Sequence, residues 1–186
     1  IAPPAFLREL RALCDRHGIL LIVDEVQSGF ARTGKMFAIE HSGVVPDLMT
    51  VAKGLTSGYA PMSACIVSDA IWEALAEGSP ETGPFAHGYT YSAHPLAVAA
   101  CKATQQVYAY EGLFQRAAEM APVFEDALHS LKGEPNVIDV RNFGLMGAVE
   151  LAPLEGQPGV RGAELIQKTF DAGLMIRITG DTIASS

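Results

Sequence analysis

The chain has 186 residues, of which 49% are hydrophobic and 18% are charged, an ordinary composition for one or two globular domains. A formal net charge of -8, without any cluster of basic residues, argues against a nucleic-acid-binding protein. No apolar run approaches the roughly 18 residues that a membrane-spanning helix needs.

The cysteines, Cys14, Cys65 and Cys101, are widely spaced and lie in apolar contexts. This pattern predicts buried thiols of a cytoplasmic protein, not a disulfide framework or a metal site. The aromatic residues are likewise expected in the core. Ile1 is not a natural start, and residues 184–186 stop inside what looks like a continuing strand, so we expect a chain truncated at both ends.

The first predicted element is a helix that follows two prolines, carries an apolar stripe and ends at Gly18. Next comes a short apolar run, Ile19 to Val23, which predicts a strand buried on both faces. That strand ends on Asp24 and Glu25. The carboxyl end of a strand is where open α/β sheets bind ligands, so Asp24 is a candidate site residue.

A second apolar run, Leu48 to Ala52, predicts a neighbouring strand that ends on Lys53. The flexible turn from Gly54 to Gly58 follows it. An acid and an amine are therefore expected at the ends of neighbouring strands, which is an arrangement that a small cofactor can reach.

The next predicted elements are a strand over Met62–Val67 and a helix over Asp69–Glu77, with Ser68 as the N-cap. The inward face of this helix is expected to carry Ile71, Trp72 and Leu75. A loop, Gly78–His94, leads to an alanine-rich helix over Pro95–Tyr110, with proline in its first turn.

A further helical pattern, Leu113–Leu131, contains Pro122, which predicts a break or kink near Met120. We place a domain boundary between residues 111 and 112. A small α/β unit is expected after the helix, with strands over Val137–Val140, Leu145–Leu151 and Leu174–Ile178 and a helix over Gly162–Ala172.

The stretch from Leu20 to Pro61, LLIVDEVQSGFARTGKMFAIEHSGVVPDLMTVAKGLTSGYAP, resembles the core signature of class III, or omega, aminotransferases. Those are fold-type I enzymes that depend on pyridoxal 5'-phosphate (PLP). The resemblance implies an α/β fold with a mostly parallel sheet. Residues 1–111 would form the C-terminal half of the large PLP-binding domain, and residues 112–186 an incomplete small C-terminal domain.

The same resemblance implies roles for individual residues. Asp24 would pair with the pyridine nitrogen of PLP, Val26 would pack on the ring, and Gln27 would lie near the phenolic oxygen. Lys53 would hold PLP as a Schiff base and then move a proton between substrate and cofactor carbons. Asp24 suits its task because a carboxylate keeps the pyridine nitrogen protonated, and arginine could not replace Lys53 because its guanidinium stays protonated.

A second motif, HGYTYSAHP from His87 to Pro95, looks like the branch of this family that transfers amines from omega-amino acids such as β-alanine to pyruvate. By that resemblance Thr90 would bind the PLP phosphate of the partner subunit, so a complete site would need a homodimer. A dimer of dimers would meet the same need. Arg177, in LMIRITGDTI, is similar to the arginine that binds the substrate carboxylate, whereas Arg141 is interpreted as structural.

Three alternatives stay open at this point. The stretch Gly29–Lys35 imitates the start of a P-loop, and an apolar strand that ends in two acids fits a Walker B strand, which would indicate a nucleotide hydrolase. Met36 argues against it, because a P-loop needs Ser or Thr there. The family's framework also supports aminomutase or decarboxylase chemistry, and the last alternative is a folded remnant without activity.

Overall fold

A computed structural model describes residues 2–81 and 83–185 of the chain. These residues group into two compact units, and each unit has its own apolar core. The first unit comprises Ala2–Ala31 with Lys35–Phe114, and the second comprises Arg32–Gly34 with residues 115–185. Across both described ranges, no helix combines the length and the apolar character needed to cross a bilayer.

The first unit starts with helix α1 (Pro4–His17), which ends at Gly18 in the left-handed conformation with φ 62°. Strands β1 (Ile22–Asp24), β2 (Leu48–Val51) and β3 (Ala64–Val67) follow. Helices α2 (Asp69–Glu77) and α3 (Pro95–Tyr110) have the predicted bounds. Two short 3₁₀ turns, Ala38–His41 and Lys53–Leu55, lie before and after β2.

The strands of the first unit form one sheet with β2 in the middle, in the order β1-β2-β3. β1 is parallel to β2, as predicted, whereas β3 is antiparallel to β2. A parallel pair needs a long connection, and residues 25–47 supply it. In this pair Asp24 lies opposite Thr50, so β1 and β2 end at the same edge of the sheet.

The core of the first unit joins α1, the sheet and the connection between β1 and β2, through Cys14, Leu21, Phe30, Ile39, Val44, Met49 and Val51. β1 contributes only one face to this core. Within β1, Val23 packs against the core but Ile22 is 62% exposed, and before the strand Leu21 is buried but Ile19 is 56% exposed. The prediction of a strand over Ile19–Val23 that is buried on both faces is therefore wrong, because nothing in the described chain covers the outer face.

Two further expectations about burial are wrong. Ser68 Oγ caps α2 by accepting the Ile71 N–H at 3.4 Å, but Trp72 is 62% exposed and does not face inward. Residues 71 and 75 share a helix face, whereas residue 72 lies about 100° around the helix from residue 71. Cys14 is buried, but Cys65 on β3 is exposed and Cys101 is only partly buried.

The second unit holds most of helix α4 (Leu113–His129), then strands β4 (Val137–Phe143) and β5 (Met146–Leu151), helix α5 (Val160–Asp171), and strands β6 (Arg177–Thr179) and β7 (Thr182–Ser185). The sheet is antiparallel, in the order β4-β5-β7-β6. The strand predicted over Leu174–Ile178 begins only at Arg177. Ser186, where we expected a strand to continue, lies outside the described residues.

Helix α4 continues through Pro122, so of the predicted break or kink near Met120, the break is wrong. The reason is close packing of the helix on β5. A Cβ added to Gly147 would lie 2.5 Å from Leu128 and 2.9 Å from Phe124, so the glycine lets the helix approach the strand. Contacts along this face hold the helical turns in place although proline removes one backbone hydrogen bond.

Candidate active site

The sheet edge where β1 and β2 end brings several predicted site residues together. Asp24 is the last residue of β1, and Lys53 begins the 3₁₀ turn that follows β2. Asp24 lies opposite Thr50, so Lys53 comes three residues beyond that pair, after the chain has left β2 at the same end of the sheet. Lys53 Nζ donates a hydrogen bond to Gln27 Oε1 at 3.2 Å. The structure thus joins Gln27 and Lys53 directly.

The side chains of Asp24 and Lys53 use only part of their hydrogen-bonding capacity within the protein. Asp24 Oδ1 accepts the N–H of Val26 at 2.9 Å and so shapes the first turn after the strand. Both side chains are exposed. In residues 2–81 and 83–185, Lys53 forms no ion pair. An accessible carboxylate and an accessible primary amine therefore stand at one sheet edge.

Glu25 contributes to this site in a way that the sequence interpretation missed. It is only 1% exposed, and its carboxylate accepts hydrogen bonds from Ser28 Oγ at 2.5 Å, Ala38 N at 3.1 Å and Ile39 N at 2.7 Å. It thereby fixes the loop that carries Val26 and Gln27. The burial of Glu25 could have been predicted from the alternation of side chains along a strand, because the side chain after an outward-facing Asp24 faces inward.

The turn that carries Lys53 is fixed by α3, which the sequence did not reveal. Tyr108 Oη donates to the Gly54 carbonyl at 2.7 Å, and Gln105 Nε2 donates to the Leu55 carbonyl at 3.1 Å. Tyr108 is 54 residues away from Gly54 in the chain. No local pattern connects positions at that separation.

Thr90 lies in an exposed turn of the first unit and is not joined to Asp24, Gln27 or Lys53 by any hydrogen bond in the described chain. The turn is held by Ser92, whose Oγ accepts the Tyr89 N–H at 3.0 Å. Tyr89 is 75% exposed and Tyr91 is 78% exposed. The expectation that the aromatic residues lie in the core is wrong for this loop.

Arg177 belongs to the second unit, where it is the exposed first residue of the edge strand β6. No carboxylate within the described ranges pairs with it. Arg141 forms ion pairs with Asp139 and, at 2.8 Å, with Glu150. Its guanidinium is thus engaged by neighbouring strand residues, whereas that of Arg177 is open to a ligand.

The turn between β6 and β7 is fixed by Asp181. Its Oδ2 accepts the Gly159 N–H at 2.6 Å, and its Oδ1 accepts the Gly162 N–H at 2.9 Å. The Gly159 N–H, and to a smaller degree the Gly162 N–H, hold the pKa of Asp181 below its usual value. The hairpin that carries Arg177 is in this way tied to the N-terminus of α5.

The segment Gly29–Lys35 does not form a phosphate-binding loop. The Phe30 N–H donates to the Met36 carbonyl at 2.6 Å and the Ala31 N–H to the Lys35 carbonyl at 3.1 Å, so neither points at a ligand. A short 3₁₀ turn, Ala38–His41, follows instead of a helix whose N-terminus could hold a phosphate. The nucleotide-hydrolase alternative is therefore wrong.

Known proteins are similar to this chain along almost its whole length. The omega-aminotransferase of Caulobacter vibrioides is 49% identical over 186 residues, which cover 100% of this chain and 42% of that protein. The beta-alanine–pyruvate aminotransferase of Pseudomonas aeruginosa is 47% identical over 185 residues, which cover 98% of this chain and 41% of that protein. The chain thus spans about two-fifths of the length of these curated relatives.

The fold is similar to that of solved transaminases. The omega transaminase of Pseudomonas jessenii, solved in complex with PMP, superposes with a TM-score of 0.93 at 32% identity, over 100% of this chain and 42% of that one. This likeness shows the α/β fold of the transaminases and is consistent with fold type I. Aminotransferase class-III is also the family that matches residues 1–185, and with sequence and fold in agreement over that length, the chain belongs to it.

Proposed function

We propose that this chain is part of a PLP-dependent aminotransferase that moves the amino group of an omega-amino acid or amine, such as β-alanine, to a keto acid, with pyruvate as the acceptor. The observation that carries the proposal is the 3.2 Å hydrogen bond between Lys53 Nζ and Gln27 Oε1, which joins the segments that follow two parallel strands, the first of which ends on Asp24. The substrates come from the name of the relative that is 47% identical, beta-alanine–pyruvate aminotransferase.

The residues at this edge fit PLP by their chemistry. When bound, PLP supplies an aldehyde that amines attack and a protonated ring that accepts electrons. Lys53 offers the amine, and Asp24 offers the carboxylate that keeps the ring nitrogen protonated. Gln27 accepts from Lys53 through Oε1, so its Nε2 would be available to donate to the phenolic oxygen of PLP, and Val26 would pack on the ring.

Lys53 would act twice in each transfer. Its Nζ is the primary amine that would hold the cofactor. Once free, the same amine would be the base that takes a proton from the substrate and gives it back. Its only hydrogen bond in the described chain goes to the neutral Gln27 amide, so no protein carboxylate holds the amine away from these tasks.

Arg177 is proposed as the residue that binds the substrate carboxylate. A guanidinium can form two parallel N–H···O hydrogen bonds with a carboxylate, and this one is exposed without a protein partner in the described chain. We also propose that residues 1–111 are the C-terminal half of the large domain and residues 112–186 most of the small domain. Arg177 would then be the small domain's contribution to catalysis.

We further propose a homodimer, or a dimer of dimers, in which Thr90 binds the PLP phosphate of the partner's site. Within the described residues the Thr90 hydroxyl has no hydrogen-bond partner, and the flanking Tyr89 and Tyr91 are 75% and 78% exposed. Aromatic side chains are enriched at protein interfaces, which suits a loop placed between subunits. Free, widely spaced cysteines support a cytoplasmic location.

The cofactor assignment is tested on the protein that contains this chain. With PLP added, we expect a visible absorption band, and after borohydride reduction mass spectrometry should locate the cofactor on Lys53. Lys53→Ala should abolish both signals. Lys35→Ala is the matched control, because Lys35 is an exposed lysine of the same unit, and it should behave as the wild type. A band that persists unchanged in Lys53→Ala would remove the assignment.

The reaction is tested by following alanine formation from pyruvate with β-alanine or with a simple amine as donor. Arg177→Ala should slow the reaction with β-alanine by at least about tenfold, because one charge-assisted pair is worth about 1.5–3 kcal/mol, and it should spare the simple amine. Equal losses for both donors would contradict the role of Arg177. Phosphate release from ATP without amino transfer, or decarboxylation without alanine formation, would contradict the proposed reaction.

A further inference from the structure

The turn that begins with Lys53 is held by two side chains of α3. Tyr108 Oη donates to the carbonyl of Gly54 at 2.7 Å, and Gln105 Nε2 donates to the carbonyl of Leu55 at 3.1 Å. Consecutive carbonyls directly after the lysine are therefore both bound by one helix. The two donors lie three residues apart in α3, so they share one helix face.

An aromatic side chain closes the other side of the same turn. Phe30 is only 8% exposed, and a Cβ added to Gly54 would lie 2.5 Å from Phe30 Cβ. The Phe30 ring also lies next to the Tyr108 ring, with a centroid distance of 6.2 Å. Gly54 is thus enclosed between Phe30 and Tyr108, and only its carbonyl makes a polar contact there.

We propose that Tyr108 is a positioning residue for Lys53. By fixing the Gly54 carbonyl, its hydroxyl sets the direction in which the lysine side chain leaves the turn and so places Nζ beside Gln27. Gln105 supports the same turn one residue further on. This inference rests on the proposed role of Lys53 as the amine that holds the cofactor, and it adds a residue that would touch neither cofactor nor substrate.

The geometry explains why such an anchor is needed. Lys53 is exposed, and among residues 2–81 and 83–185 its flexible side chain is held at its tip by a single hydrogen bond, to Gln27 Oε1. The position of Nζ therefore depends on the backbone from which the side chain starts. A displacement of about 1 Å at a reacting group can cost about 100-fold in rate, so loosening this turn should be visible in catalysis.

The anchor is tested first in the cofactor-free protein, by hydrogen exchange of the backbone amides of residues 53–59. Tyr108→Phe removes the hydroxyl and keeps the ring, and we expect exchange there to become at least about fivefold faster, as for the loss of one hydrogen bond. Amides of β5 in the second unit should not change. Tyr110→Phe is the matched control, because Tyr110 lies on the same helix and is 92% exposed.

The second readout is kinetic and uses the protein loaded with PLP. Tyr108→Phe should lower kcat for β-alanine and pyruvate by about tenfold or more, with KM changed by less than about twofold, because the substrate contacts are untouched. Gln105→Leu should lower kcat by a smaller factor, again with little change in KM. Gln106→Leu, at an exposed neighbouring position, should match the wild type.

The two tests separate this inference from the proposed function. If Lys53→Ala keeps the cofactor attached, the proposed function fails, whatever Tyr108 does to hydrogen exchange. If Lys53 is the attachment site but Tyr108→Phe leaves the exchange of residues 53–59 and kcat at wild-type values, the positioning role is wrong. A fall in kcat with a parallel rise in exchange throughout the first unit would mean general destabilisation and would also overturn it.

Discussion

Glu25 shows how one buried carboxylate can organise a loop beside a candidate active site. Its two oxygens receive one hydroxyl and two backbone N–H groups, and these donors come from two separate parts of the connection between β1 and β2, at Ser28 and at Ala38–Ile39. Burying a charge is costly unless hydrogen bonds compensate for it, and here three of them do.

Replacing Glu25 tests this role directly. Glu25→Gln puts an NH₂ group where an oxygen accepts N–H or O–H donors, so at least one donor loses its partner. We expect the free energy of unfolding to fall by about 2–4 kcal/mol, as measured by urea denaturation. Glu9→Gln, at an exposed position on α1, should change it by less than about 0.5 kcal/mol. A Glu25→Gln protein as stable as the wild type would show that the carboxylate is dispensable.

At the scale of secondary-structure elements, the second unit is stabilised by a cap that comes from a distant part of the sequence. Helix α5 begins after Gly159, which has no side chain to accept the free N–H groups of the first turn. Asp181, in the β6–β7 turn, accepts two of them instead. The helix N-terminus and the hairpin that carries Arg177 therefore depend on the same carboxylate.

This capping predicts a pH dependence of stability. The pKa of Asp181 in the folded state lies below its ordinary value of 3.8, chiefly because the Gly159 and Gly162 N–H groups favour the charged form. Its contribution is therefore complete above about pH 3.8 and is lost as the pH falls through the lower, folded-state pKa. Urea denaturation from pH 6 to pH 2.5 should show this loss in the wild type.

Asp181→Asn should be less stable than the wild type at pH 6, and the difference should shrink as the pH falls below about 3.8. Asp126→Asn, on the exposed surface of α4, serves as the control and should follow the wild-type curve. A constant difference between Asp181→Asn and the wild type over the whole pH range would mean that the charge of the cap is unimportant.

The elements that the sequence predicts well are those whose limits are set locally. Gly18 ends α1, Ser68 caps α2, and Pro95 starts α3, and each signal lies at the end of its own helix. The errors concern properties that depend on distant neighbours. The exposure of Ile22 depends on what covers β1, and the continuity of α4 through Pro122 depends on its packing against β5.

At the scale of the whole molecule, some residues of the candidate site could be predicted from the sequence and others could not. Asp24 and Lys53 could be proposed as the ends of two apolar runs, and Gln27 from the resemblance of the stretch between them to class III aminotransferases. Tyr108 could not, since it reaches Gly54 across 54 residues. Glu25 is intermediate: its neighbours are local, but its burial becomes evident only when the connection folds back over it.

The proposed dimer can be tested by mixing two inactive variants. If Thr90 serves the partner's site, a mixed dimer of Lys53→Ala and Thr90→Ala has one intact site, which combines Lys53 of one subunit with Thr90 of the other. Random mixing should then restore about a quarter of the wild-type activity, measured at a PLP concentration too low for the Thr90→Ala homodimer.

If Thr90 instead serves its own subunit, both sites of the mixed dimer lack one residue and activity should stay at the level of the separate variants. A double variant, Lys53→Ala with Thr90→Ala, mixed with wild type controls for subunit exchange. A monomeric protein in light scattering at working concentration would contradict the proposed assembly altogether.

The contact between Phe30 and Gly54 has a consequence for how this sequence can vary. A Cβ at position 54 would lie 2.5 Å from the Cβ of Phe30, an atom that every residue except glycine carries, so a larger residue at position 54 requires glycine at position 30 or a shift of the backbone. In a library randomised at both positions, survivors should therefore keep glycine at position 54 or, where position 54 is larger, carry glycine at position 30. A change at position 54 alone would be selected against, so the lysine turn and the loop after Asp24 would constrain each other's evolution.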